Sequence, residues 1–125
     1  MEKKEELRTE RRLHYHWPVR FAEDFGRPLQ QGQMLDICST GGAFTCYADD
    51  NCPYAGKALV AHFSVPRFDT GMIRFTRAAH VCRVDDVNPF LRRIAVQFSE
   101  PLNFRPGEQA ATDADSRQRL KAMTI

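Results

Sequence analysis

The chain has no apolar run approaching the roughly 18 residues that a membrane span requires. Its charged opening, MEKKEELRTERR, has no apolar stretch behind it, which argues against a secretory signal. A soluble, cytoplasmic protein without a membrane partner is expected. Cys38, Cys46, Cys52 and Cys82 form no CxxC pair, and His14, His16, His62 and His80 do not supply zinc-finger spacing. The thiols therefore read as reduced, and no metal or cofactor is expected. A formal net charge of only +2 excludes the broad basic field that holds duplex DNA. No GxGxxG follows a strand, which removes the dinucleotide-fold fingerprint. No GxSxG elbow surrounds Ser39, and no cysteine-enzyme signature joins Cys38 or Ser39 to His62 or His80, so an enzyme is not expected. The acid pairs Asp49/Asp50 and Asp85/Asp86 read as solvated turns or strand ends. His62 and His80 read as partly buried structural imidazoles, and Phe90 and Phe98 as core.

What is present fits one domain of 125 residues, with ordinary hydrophobic (42%) and charged (27%) content. The cations are unevenly chosen: fourteen arginines against four lysines. Arginine is the residue suited to forked hydrogen bonds and to stacking on flat rings, although a compositional bias accounts for most of these. Along the chain, WPVRF, QMLDI, AFTCY, KALVAHFSV, MIRFTRAAHVCRVDDV and RRIAVQF read as strands separated by Gly and Pro punctuation. Leu59, Ala61, Phe63 and Val65 alternate with Val60, His62 and Ser64, and Ile94, Val96 and Phe98 share one face of their own segment, which is the period of a strand with one face in the core. The adjacent glycines of CSTGG allow a tight turn with positive φ. Without amphipathic helices between the strands, the expected class is mainly β, an antiparallel barrel or sandwich. A charged arm over 1–10, a β domain over 11–104 and a tail over 105–125 complete the expected layout, with a short helix from Thr112.

Two stretches resist a purely structural account. RRLHYH, Arg11 to His16, packs two guanidinium groups and two imidazoles into six positions ahead of the first strand. Asp36-Ile-Cys-Ser-Thr-Gly41-Gly42 places an acid at the end of an apolar strand before a glycine bend. Together they resemble the PilZ family, whose members are bacterial receptors for cyclic di-GMP. That family pairs RRxxxR, just before its first barrel strand, with (D/N)xSxxG on a following strand and turn. Arg11 and Arg12 match the first motif, and His16 stands at its last arginine. Asp36 and Gly41 match the second, and Cys38 stands at its serine. GKALVAHFSVP, HVCRVDD and RRIAVQF resemble further strands of the family, so the likeness spans about residues 8 to 104.

The resemblance implies a six-stranded antiparallel PilZ-type β-barrel with a flexible N-terminal arm. It also implies a non-enzymatic receptor that grips cyclic di-GMP through Arg11, Arg12, His16, Asp36, Cys38, Ser39, Gly41 and Gly42, and then signals to a protein partner. The ligand's chemistry suits this set, because a guanidinium can fork onto a phosphate or onto guanine O6 and N7, or lie on a base. A carboxylate accepts from guanine N1 and N2, and glycine permits close backbone approach. His16 is shorter than arginine and cannot make the forked contact, and a thiol bonds more weakly than a hydroxyl. Arg8 or Arg20 could compensate, and Tyr15 or Trp17 could stack on a base. Two alternatives stand beside the receptor reading: a degenerate PilZ module that has lost the ligand and serves as an adaptor, and a single-strand nucleic-acid binder or small enzyme on a β-barrel.

Overall fold

In a computed structural model, residues 10–23, 29–67 and 70–108 are described. The expected N-terminal arm, apart from Glu10, and the expected helix after Thr112 lie outside them. Six strands follow in chain order: β1 (Leu13–Ala22), β2 (Gln30–Cys38), β3 (Gly41–Tyr47), β4 (Ala58–Arg67), β5 (Gly71–Asn88) and β6 (Leu91–Phe98). All pair antiparallel in the order β1-β2-β3-β6-β5-β4, and β1 returns to β4. Val19, Phe21, Met34, Ile37, Phe44, Phe63, Val65, Ile94 and Val96 meet inside. From Ala61 to Val65 and from Ile94 to Phe98 the alternation read in the sequence is the alternation of burial, while Val60 is buried as well. Rings interlock there, with Phe63 stacked on Phe98 at 5.4 Å between centroids and Phe21 tilted on Phe44 at 4.9 Å.

The six strands close into a barrel, and the closing seam between the outer strands, β1 and β4, is short. The ends of the six-stranded antiparallel sheet meet along only four residue pairs, Val19 to Ala22 against Phe63 to Val60. Pairing stops one residue short of Pro18 on β1, and Pro66 follows on β4. Neither proline has a backbone N–H with which to extend a ladder. Beyond that point a side chain bridges the strands instead: the Tyr15 hydroxyl donates to the Ser64 carbonyl at 2.8 Å.

Other expectations do change. RRLHYH is not wholly a flexible leader, because its last four residues are the start of β1, with Leu13 opposite Ile37 and His14 opposite Asp36. The first strand therefore begins four residues before Trp17. Among the described residues the glycines with positive φ are Gly56 (88°) and Gly71 (84°), not those of the CSTGG bend. Asp85 and Asp86 lie within β5, paired to Arg83 and Arg92, and not in a turn. Asp49 does sit in a turn, where Oδ1 accepts the Asn51 N–H. Phe90 is 74% exposed at the β5–β6 turn, where Asn88 Oδ1 accepts the N–H groups of Phe90 and Leu91. His80 is exposed, and half-buried His62 bonds Thr76 at 3.0 Å.

Candidate ligand site at the bend

Asp36 is the one charged residue buried among those described, at 5% exposure. Its position follows from β2, whose register shifts between Met34 and Asp36, so that Met34 faces Phe44 in the core while Asp36 sits beside Ala43. Ala43 pairs in turn with Ala95 on β6. Two small side chains in that row leave room for long neighbours to reach across them. A buried carboxylate requires partners, and here each oxygen has its own. Arg12 Nη1 donates to Oδ1 at 2.9 Å, and Arg93 Nη2 donates to Oδ2 at 3.3 Å. A guanidinium carries five N–H donors, and Arg12 commits one of them to Asp36.

The bend after β2 is held from three sides. Glu10 reaches in from the leader, its carboxylate accepting the Ser39 N–H at 2.7 Å and the Ser39 hydroxyl at 2.6 Å. From the C-terminal segment, Leu102 donates its N–H to the Ser39 carbonyl at 2.8 Å. Phe98 does the same to the Thr40 carbonyl at 2.8 Å. The Cys38 thiol is buried and lies 3.4 Å from the Thr40 hydroxyl. Gly41 and Gly42 meet a demand of packing. A β-carbon on Gly41 would lie 2.2 Å from the Val96 carbonyl oxygen, and one on Gly42 would lie 2.7 Å from that of Asp36.

The leader is similarly fixed. The Arg11 N–H donates to the Glu108 carboxylate at 3.2 Å, and Gly107 packs so close that a β-carbon there would lie 2.0 Å from the Arg11 carbonyl oxygen. Of the residues singled out in the sequence, the structure therefore brings Arg12, Asp36, Cys38, Ser39, Gly41 and Gly42 to one end of the sheet. It leaves the side chains of Arg11 and His16 exposed.

Two members of this cluster escape a reading of the sequence. Arg93 lies in RRIAVQF, where alternation with buried Ile94 signals an outward side chain, but nothing local ties it to Asp36. Glu10 precedes the arginine pair directly and reads there as one more charge in a charged run. Two residue pairs along the ladder from Ala43 and Ala95, at Thr45, an open groove of about 660 Å³ begins, lined also by Gln31, Gln33, Tyr47, Phe90 and Leu91. Among the described residues no group of three or more His, Cys, Asp or Glu is placed to hold a metal, and no helix is long and apolar enough to cross a membrane.

No family model and no curated protein matches the chain. Among solved structures, the chain is similar to the Bacillus subtilis inhibitor of motility (MotI/DgrA), with a TM-score of 0.63 and 19% sequence identity. The match covers 97% of this chain and 53% of that one, so the chain spans about half the length of that protein. At this identity the likeness establishes a shared fold.

Proposed function

We propose that the chain is a receptor domain for cyclic di-GMP, and that the ligand is gripped between Arg12 and the Asp36–Gly42 bend. One observation carries the reading: the second arginine of the RR pair lies directly on the acid of the bend, 2.9 Å away, although 24 residues separate them. The two motifs that resemble the PilZ family are thus joined by this ion pair as well as by the β1–β2 ladder. The fold shared with an inhibitor of motility adds support, as that is a regulatory and not a catalytic description.

Binding would exchange partners without leaving a buried charge alone. Arg12 turns from Asp36 to a ligand phosphate, its forked donors suiting two oxygens. Asp36 keeps Arg93 on one oxygen and offers the other to guanine N1 or N2. The Ser39 N–H and hydroxyl, which hold the Glu10 carboxylate, suit a phosphate oxygen equally well. Arg11, already exposed, is free to approach a phosphate or stack on a base. A protein partner would then read the displaced leader.

The same contacts favour a second reading, a PilZ-like adaptor that has lost the ligand, because the bend is already satisfied internally by Glu10, Arg12 and Arg93. Calorimetric titration with cyclic di-GMP separates them. The receptor reading expects saturable binding that Arg12→Ala weakens roughly five- to 150-fold, the equivalent of about 1–3 kcal/mol for one forked contact. Absence of binding to the wild-type chain, or affinity unchanged by Arg12→Ala, sinks it.

A further inference from the structure

Away from the bend, Cys46 and Cys52 bring their sulfurs within 3.8 Å. Cys46 lies near the end of β3, opposite Arg92, and is buried. The chain then turns back on itself: the Cys52 N–H donates to the Asp49 carbonyl at 3.1 Å, which sets the second thiol over the first. Cys52 is half-buried, and its thiol points to the Pro53 carbonyl at 3.5 Å. Both cysteines line a cavity of about 210 Å³ together with Phe21, Gln30, Tyr47 and Asn51, so a small reagent has a path to the pair. The other two thiols are differently placed, with Cys38 buried in the bend and Cys82 exposed on β5.

We propose that Cys46 and Cys52 form a reversible dithiol–disulfide site, closed by a small disulfide such as oxidised glutathione. A bonded S–S distance is about 2.05 Å, so the sulfurs must close the remaining gap. Cys52 stands in a turn after β3, where the backbone can give. The Cys52 thiolate attacks one sulfur of oxidised glutathione, forming a mixed disulfide and releasing one glutathione thiolate. Cys46 then loses its proton and attacks the Cys52 sulfur, releasing the second glutathione. Two protein thiols are oxidised and one small disulfide is reduced to two thiols. Burial, and then the neighbouring Cys52, push the Cys46 thiol up to about 12, so it is a poor first attacker. Capping Cys52 as a mixed disulfide removes its negative charge and eases the second step. The order of events therefore follows from exposure and charge together.

The experiment uses the full chain, equilibrated in a glutathione buffer with the reduced form in excess, then blocked with N-ethylmaleimide and mapped by peptide mass. The expected result is a Cys46–Cys52 disulfide that persists where Cys82 remains a free thiol, because the second thiol acts at the high effective concentration of an intramolecular partner. In Cys46→Ser, Cys52 should stop at the mixed disulfide. In Cys52→Ser, Cys46 should resist oxidation. A wild-type chain in which Cys52 accumulates as the glutathione adduct, or in which both thiols are still blocked as freely as Cys82, overturns the proposal. Mapping the wild-type chain decides this even if a variant fails to fold.

Discussion

Asp36 would lose most if any one charged residue of the site were changed, because its carboxylate is buried while its two guanidinium partners are each about one-third exposed (29% and 33%). Charge-assisted hydrogen bonds contribute about 1.5–3 kcal/mol when made, and leaving buried charge unpaired costs more. Asp36→Ala should lower unfolding stability in urea by about 2–4 kcal/mol. Arg93→Ala should cost about 1 kcal/mol, as Arg12 remains on the other oxygen. An Arg93→Ala loss as large as that of Asp36→Ala would show that the acid depends on this one partner. On the receptor reading, His16→Arg should tighten cyclic di-GMP binding by restoring the family's last arginine, and a calorimetric comparison with wild type checks it. At this scale the sequence discloses Asp36 and Arg12, through motifs whose spacing is local. Arg93 stands 57 residues from Asp36, and the contact exists because Ala43 and Ala95 are small and adjacent across strands, which no local pattern announces.

Leader, bend and C-terminal segment act as one unit of structure, and glycines make the close approaches possible. Gly107→Ala would drive a β-carbon into the Arg11 main chain, so the leader and not the core should yield. The measurement is amide hydrogen exchange: Leu13 and its strand neighbours should exchange faster, while Val96 and Phe98 stay protected. Equal loosening of β6 would contradict this. Gly41→Ala instead places the clash on the Val96 carbonyl within the β3–β6 ladder, and overpacking of that kind costs about 1–3 kcal/mol of global stability. The glycine pair was legible as necessary, but for a different cause. Sequence suggests a turn with positive φ, whereas the structure uses the missing side chains to bring neighbouring backbones close. Phe90 shows the same limit. Apolar character predicts burial, yet a hairpin turn takes its residues out of the alternation, and Asn88 fixes that turn through its own side chain.

For the molecule as a whole, two acidic groups shielded from water, half-buried Tyr15 and buried Cys46, weaken the fold as pH rises. Tyr15 and Cys46 are each held protonated by burial, above their ordinary values of 10.0 and 9.0. Both groups stay neutral in the folded chain after they would ionise in the unfolded one, so the unfolded state binds fewer protons and stability falls with increasing pH. The contribution is complete below about pH 9 and declines between there and about 12 for Cys46, and from about pH 10 upward for Tyr15. Urea denaturation at rising pH should show the midpoint falling above pH 9. Tyr15→Phe should flatten the part above pH 10 while costing about 1 kcal/mol at neutral pH through the lost bond to Ser64. An unchanged alkaline slope in that variant would remove Tyr15 from the account. Strand number and core faces were legible because period-two alternation in β4 and β6 is strong. The short seam was not, since it depends on where Pro18 and Pro66 fall relative to the pairing register when the outer strands meet.

Gly107 against Arg11 has a wider consequence. The polypeptide enters the described body at Glu10 and leaves it at Glu108 through a shared doorway, so anything attached before one and after the other starts out as neighbours. Prising the entrance open at Glu10 would disturb the exit as well, and a message could pass between two attachments without crossing the interior.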